Sequence, residues 1–416
     1  MGEQLAVDGG TPVRDTAQRP WPRWPIASEA LWRDRVAPAL REVYLSHVEG
    51  LPGPRAKAFA ERFARYCGAK HGRLLVHGTD AIGSALSAVL DLDAWGDGGE
   101  VILPNYTFIA TASAPLDRRC TLAFVDIDPK TFTMDPDALA EAIVPGRTRA
   151  VLPVHLAGHP ADMDAINAVA RKHGLAVIED CAQAHGARYK GKPVGALADA
   201  GAFSFQSTKN LTCGEGGAVT TDDAEIDARV SGFMDVGRDP RGGQWEYPRL
   251  GWNYRPSEYL AALLTARLET LDAETDHRAR MAHYLTEQLG AIPGVTPPVE
   301  GAGCDRHAYH LYCMQLDTTQ FGGHPRDAVV EALAAEGVPC TPGYTSPLSE
   351  TPALEYLGKI YPPIVRVLPC PNAARVCANS LWLTQPLLLA DTKDMDDIVE
   401  ALGKVQRLLS RSAGAS

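Results

Sequence analysis

The sequence predicts an α/β fold: a mostly parallel, seven-stranded sheet with a smaller C-terminal α+β domain. Three observations lead there. Short apolar runs alternate with helical segments from about residue 73 to about residue 220. Those runs are apolar throughout, as in strands covered on both faces. The chain has 416 residues, 45% of them hydrophobic, which is enough for two domains and a large buried core.

Each element follows in turn. Residues 1–30 are rich in Pro, Gly and Trp (Pro20-Trp21-Pro22-Arg23-Trp24-Pro25) and read as an extended N-terminal arm. Helical patterns occupy 30–45 and 55–67. Buried strands are expected at Arg73–Val76, Val101–Leu103, Leu122–Val125, Ala150–Val154, Leu175–Ile178, Gly201–Phe205 and Ala218–Thr220. Helices are expected between them at Ala81–Leu90, Ile109–Ala114, Pro136–Ile143 and Asp162–His173. One long helical pattern, Ser257 to Leu289, then leaves the sheet. Beyond Pro293 come a strand-like run (Tyr309–Leu316), a helix (Arg326–Glu336), Pro-rich loops (Pro339–Pro347, Pro362–Pro371) and a closing helix (Asp394–Ser410). The resulting division is an arm over 1–30, a large domain over 31–270 and a small domain over 271–416.

Bulk properties exclude several classes of function. The formal charge is −11, from 40 basic against 51 acidic side chains, with no Lys/Arg run to hold nucleic acid. Met1–Pro12 has neither the basic nor the apolar region of a signal peptide, and no apolar stretch of about eighteen residues spans a membrane. The nine cysteines are scattered without a CxxC pair, so neither a disulfide framework nor a metal site is indicated and a reducing cytoplasm fits.

Open α/β sheets bind ligands at the carboxyl ends of their strands. The first strand ends in His77-Gly78-Thr79-Asp80 and runs into a helix. Helix-terminal N–H groups, a glycine for close approach and a hydroxyl make a phosphate site there, although a plain helix cap accounts for Thr79 and Asp80 taken alone. The second ends in Pro104-Asn105-Tyr106-Thr107-Phe108, where Tyr106 offers a ring to stack on a planar cofactor, core packing being the alternative for such an aromatic. The fifth ends in Glu179-Asp180-Cys181-Ala182-Gln183-Ala184-His185. An acid at the end of an apolar strand is costly unless it meets a cation, so Asp180 fits a protonated ring nitrogen and Gln183 a neighbouring hydroxyl. The sixth delivers Ser204, and Lys209 follows in a polar turn before Gly214-Glu215-Gly216-Gly217. A lysine held in such a pocket forms an imine with an aldehyde cofactor. Phosphate turn, aromatic, aspartate, serine and lysine along successive strands together compose a pyridoxal 5'-phosphate site.

These residues carry a family resemblance. The chain resembles the DegT/DnrJ/EryC1/StrS family of sugar and cyclitol aminotransferases, members of the aspartate-aminotransferase fold (type I). The resemblance runs through Gly78-Thr79-Asp80-Ala81, Pro104–Thr111, Val154–Met163, Glu179–Ala187, the Lys209 segment, Gly251-Trp252-Asn253-Tyr254-Arg255 and Leu381–Asp397. It implies that Lys209 binds the cofactor aldehyde and later moves the proton, while Asp180 keeps the pyridine nitrogen protonated. It places Tyr106 against the ring, Gln183 near its phenolic oxygen, and Gly78, Thr79 and Ser204 on the phosphate. Asn253 is expected to reach the phosphate of a neighbouring subunit, so that a homodimer shares its sites. Glutamate or glutamine would donate the amino group, with pyridoxamine 5'-phosphate as the intermediate, and a keto-sugar or cyclitol ketone of antibiotic-type secondary metabolism would receive it.

Two segments depart from the family pattern. Arg255-Pro256-Ser257-Glu258-Tyr259-Leu260 stands where the family has Arg-Met-x-x-x-Gln, and Tyr44–Pro54 replaces a serine-glycine pattern, which directs His47 toward the substrate. Trp24, His185, His310 and Tyr344 complete the substrate candidates. Two other readings stay open. One is a lyase or dehydratase on the same cofactor, such as an aminohydroxybenzoate synthase. The other is a non-catalytic, cofactor-binding regulatory subunit. Family members that became dehydratases carry histidine at the lysine position, so Lys209 favours transamination.

Overall fold

Eight strands make the main sheet of the computed structural model, which describes residues 3–50, 53–92, 98–239, 241–243 and 245–412. In chain order the strands are β1 (His71–Leu75), β2 (Glu100–Pro104), β3 (Thr121–Val125), β4 (Thr148–Val151), β5 (Ala176–Asp180), β6 (Arg188–Tyr189), β7 (Lys192–Pro193), β8 (Ala200–Ser204), β9 (Gly217–Thr221), β10 (Val295–Thr296), β11 (Cys304–Arg306), β12 (Leu311–Leu316), β13 (Val365–Val367) and β14 (Ser380–Thr384). The main sheet runs β1-β9-β8-β5-β4-β2-β3-β13. Only β9 is antiparallel to its neighbours, β1 and β8; every other pair is parallel.

The seven expected strands are all present, with helices in the crossovers. The eighth, β13, comes from the Pro-rich stretch read as loop, and it extends the sheet with a segment from the C-terminal part of the chain. A buried acid explains where it docks. Glu100 on β2 is fully buried, pairs with Arg147 Nε at 3.1 Å and accepts from Arg366 Nη2 at 2.6 Å and Nε at 3.0 Å, so β13 arrives with a second cation for this carboxylate. Another difference lies after the sheet. The single helical pattern over 257–289 is two helices, Glu258–Arg267 and Leu271–Leu289, because Thr270 bonds Arg267 O and Glu274 with its hydroxyl instead of continuing the helix.

A three-stranded antiparallel sheet, β10-β12-β14, builds the C-terminal part with the helices Leu271–Leu289, Arg326–Ala335 and Thr392–Ser412 around it. A second small sheet joins β11, β6 and β7. The N-terminal arm is tied down at several points. Buried Glu336 accepts from the N–H groups of Ala6 (2.9 Å) and Val13 (3.0 Å) and pairs with Lys404, while Arg14 meets Asp394 and Asp397. Trp21 Nε1 donates to Gly337 O at 2.8 Å, and the chain then carries Trp24 onto the face where the strands end. Leu51 and Pro52 of the unusual Tyr44–Pro54 segment lie outside the described residues. Among the described residues no helix is long and apolar enough to cross a membrane.

Candidate active site

At the carboxyl ends of β5 and β8 and the turn after β1 lies an open cavity of about 890 Å³, near the upper end for small-ligand sites. Its construction starts at the turn between β1 and the helix Gly78–Val89. The first backbone bond of that helix is Ala81 N–H to His77 O at 3.1 Å, so the preceding N–H groups have no acceptor within it. Ser204 ends β8 directly against this turn: a Cβ at Gly78 would sit 2.5 Å from the Ser204 Cβ. Gly217 opens β9 on the other side, where a Cβ would lie 2.2 Å from His77 O. Two glycines therefore let the helix N-terminus, a hydroxyl and the following strand converge, and a phosphate suits such a cradle.

Asp180 ends β5 and is 4% exposed. Its Oδ2 accepts from Thr111 Oγ1 at 2.9 Å and its Oδ1 from Ala182 N–H at 3.1 Å. Burial raises its pKa above the ordinary carboxylate value, these two bonds and the Lys209 charge pulling the other way. Behind it His155 N–H holds Asp180 O at 3.0 Å. The His155 ring lies 2.9 Å from Glu179, which also accepts from Gly195 and Leu197 N–H. His155, Glu179 and Cys181 are close enough to suggest a metal, but the His155 and Glu179 ligand atoms are already spent on these bonds and on Ala161 N–H, so the cluster braces β5.

Lys209 follows β8 through a turn closed by Lys209 N–H to Gln206 O (2.9 Å) and by Phe205 N–H to Gly216 O (2.8 Å). Its side chain lines the cavity with Asp180 and has no hydrogen-bond partner among the described residues. Burial lowers its pKa, and Asp180 offsets part of this. A half-buried amine with reduced proton affinity is chemically a nucleophile and base. Gln183 Oε1 accepts from Ala157 N–H at 2.6 Å, so its amide nitrogen is the end that meets the Tyr344 hydroxyl in the cavity wall.

These features fit pyridoxal phosphate: an anion cradle, a buried carboxylate with no cation hydrogen-bonded to it, and an unpartnered amine share one cavity.

The structure brings Gly78, Thr79, Asp180, Gln183, Ser204, Lys209, Trp24, His310 and Tyr344 to this cavity. It places four other expected residues elsewhere. Tyr106 is 1% exposed, bonded to Ser380 Oγ at 3.1 Å and edge-on to Tyr344 and Trp382, so it packs the core; Phe108, two residues on and 55% exposed, lines the cavity instead. His185 is sealed between Phe203 and Phe205, neither ring nitrogen finding a partner of good geometry, and burial drives its pKa down to about 3. It does not line the cavity. His47 and Asn253 share a separate shallow depression with Arg255, so neither approaches the Lys209 of its own chain. Sequence reasoning also missed Thr111, whose i,i+4 spacing from Thr107 was the available signal, and the wall formed by Trp382 and Gln385, which needs β12 and β14 paired to be seen.

A sequence profile described as the DegT/DnrJ/EryC1/StrS aminotransferase family matches residues 33–403. A putative L-glutamine:3-amino-2,3-dideoxy-scyllo-inosose aminotransferase of Streptoalloteichus tenebrarius is 38% identical over 98% of this chain and 99% of its own length. An L-glutamine:2-deoxy-scyllo-inosose aminotransferase of Streptomyces paromomycinus is 37% identical over 98% of each. Among solved structures, 3-amino-5-hydroxybenzoic acid synthase superposes with a TM-score of 0.83 at 30% identity, covering 92% of this chain and 98% of that one.

Proposed function

The chain belongs to the DegT/DnrJ/EryC1/StrS aminotransferase family, and from that premise we propose that it moves the amino group of L-glutamine onto a keto-cyclitol. Aminotransferases of this family depend on pyridoxal phosphate. When bound, the cofactor supplies an electron sink for the carbon that loses its proton and carries the amino group between two half-reactions.

The remaining work falls to the protein. Gly78, Thr79 and Ser204 would hold the phosphate at the helix N-terminus, and Phe108 would cover the ring in the place expected of Tyr106. Asp180, kept in line by Thr111 and the Ala182 N–H, would keep a proton on the pyridine nitrogen. Gln183 would offer its second amide N–H to the phenolic oxygen. Lys209 would take the proton from the substrate carbon at Nζ and hold it for return, a role suited to an amine whose proton affinity burial lowers. Trp24, Tyr344 and Gln385 exclude water around the substrate. Asn253, His47 and Arg255, grouped on one exposed face, are in our reading the contribution of each chain to the site of a second copy.

One observation carries this reading: an unpartnered, half-buried lysine shares a cavity with a buried aspartate beside a glycine-built anion cradle. Mixing the cofactor-loaded protein with L-glutamine alone tests it. The visible cofactor band near ~420 nm is expected to disappear as the amino form accumulates, and Lys209→Ala to lack that band from the start. Retention of the band in Lys209→Ala would falsify the assignment. The likeness to 3-amino-5-hydroxybenzoic acid synthase favours a second reading, dehydration to an aromatic amino acid; an unchanged spectrum with glutamine would select it.

A further inference from the structure

His310 immediately precedes β12 and Gln385 immediately follows β14. Leu311 and Thr384 are register partners, and Gln385 N–H donates to His310 O at 3.2 Å. Both residues line the Lys209 cavity, and they are only 6% and 1% exposed. Each side chain has its hydrogen-bonding sense set from behind.

Asn210, next to Lys209, donates from Nδ2 to Ala308 O at 2.8 Å, so its Oδ1 is the atom 3.1 Å from His310 Nδ1. An amide oxygen only accepts. Nδ1 therefore carries the ring proton, and in the neutral ring Nε2 keeps its lone pair. Burial first, then the charges of Lys209 and Arg278 and the nearby His185, keep that ring neutral. No described residue bonds Nε2. Gln385 is set by the same logic. Arg278 Nε donates to its Oε1 at 2.8 Å, and a guanidinium has no acceptor to offer, so the oxygen is assigned and Nε2 is the free end. That Nε2 is buried without a hydrogen-bond partner among the described residues. One acceptor and one donor thus sit on adjacent residues of the cavity wall, and neither can exchange its role without breaking a buried bond.

We propose that His310 and Gln385 read the side-chain carboxamide of L-glutamine at two points and so select it over L-glutamate as amino donor. The proposal rests on the aminotransferase reading above and deepens it by naming the residues that choose the donor. A carboxamide brings an N–H for His310 Nε2 and a C=O for Gln385 Nε2. A carboxylate brings acceptors only: one oxygen answers Gln385, and the other faces the His310 lone pair. A cyclitol hydroxyl, donor and acceptor in one group, satisfies the same pair in the second half-reaction. Asn210 and Arg278 are positioning residues that act through His310 and Gln385.

The test uses the cofactor-loaded enzyme with either amino acid and no ketone, reading kcat/KM of the half-reaction from the cofactor spectrum. Wild type is expected to prefer glutamine by about 100-fold, and Gln385→Leu to reduce that ratio at least ~10-fold, mainly through glutamine. His310→Phe is expected to do the same and serves if Gln385→Leu misfolds. A structural defect slows both donors alike and leaves the ratio unchanged. Calorimetry adds a readout free of turnover: glutaramate, which lacks the transferable amine, should bind at least ~10-fold tighter than glutarate in wild type and not in Gln385→Leu. A wild-type ratio near one, or a ratio preserved in both variants, overturns the proposal and leaves aminotransfer standing. A wild type that takes nitrogen from neither amino acid overturns the functional reading itself, and this proposal with it.

Discussion

Replacing Asp180 with Asn is expected to strengthen the cofactor-free protein while disabling the enzyme. Asp180 is buried and raised in pKa, so whatever charge it carries at neutral pH is held without an ion-paired cation. Asparagine keeps its shape and both its bonds. Oδ1 still accepts from Ala182 N–H, and Nδ2 donates to Thr111 Oγ1 once the 2.9 Å Thr107–Thr111 hydroxyl bond reverses direction. Removing the buried charge is worth about 1–3 kcal/mol. For 416 residues the unfolding entropy is about 0.9 kcal/mol per kelvin, so Tm should rise by about 1–3 °C. The sign with pH is definite. A carboxyl whose folded pKa lies above its unfolded value binds more protons in the native state, so wild type loses stability as pH rises through the folded pKa. The advantage of Asp180→Asn is therefore largest above the raised folded pKa and shrinks as pH falls through it toward the ordinary carboxylate range. Loaded with cofactor the order inverts, and the half-reaction should slow by ~10²–10³-fold as the charge facing the ring is lost. Scanning fluorimetry of both forms across pH, with stopped-flow spectra for the half-reaction, measures each part. A cofactor-free variant less stable than wild type at pH 8, or one transferring nitrogen at the wild-type rate, refutes the reasoning.

Other substitutions probe other parts of the site. Gly78→Ala puts a methyl 2.5 Å from the Ser204 Cβ and should weaken cofactor binding by ~10²-fold in fluorescence titrations, because the cradle must open by about an ångström. Phe108→Ala should lower cofactor affinity, while Tyr106→Phe loses only the Ser380 bond and should cost about 1 kcal/mol in denaturant unfolding with the half-reaction intact. Because burial holds the Lys209 amine below its ordinary 10.5, the rate of cofactor capture by the apoprotein should rise with pH through a midpoint under 10.5; a midpoint at or above that value contradicts the burial assigned here. Glu336→Ala strips Lys404 and two arm N–H groups of their partner and should destabilise the fold by about 3–5 kcal/mol, with limited proteolysis showing early cleavage within residues 5–25.

Much of this was legible in the chain because period and strand-end chemistry are local. Seven apolar runs between helical patterns specified seven of the eight strands of the main sheet, and Gly78, Asp180, Ser204 and Lys209 each sit at or just beyond a strand end. Errors came where a side chain had two destinations. Tyr106 and Phe108 occupy one loop, and which ring faces the cavity depends on Ser380, Tyr344 and Trp382, brought from the far end of the sequence. His185 resembled a ligand in its motif yet is walled in by two phenylalanines of β8 and its continuation.

By itself the sequence determined the α/β class, the order of the strands along the chain and the lysine–aspartate pair. Each of these follows from residues within a single element or turn. Tertiary structure decided the rest. It added β13 through the Glu100–Arg366 pair, broke the long helix at Thr270, and moved Asn253 and His47 to a separate face. It also set the proton on His310 and the amide of Gln385. Hydrogen-bonding sense depends on partners such as Asn210 and Arg278, about a hundred residues away, and only folding brings those groups to 3.1 and 2.8 Å from the atoms they set.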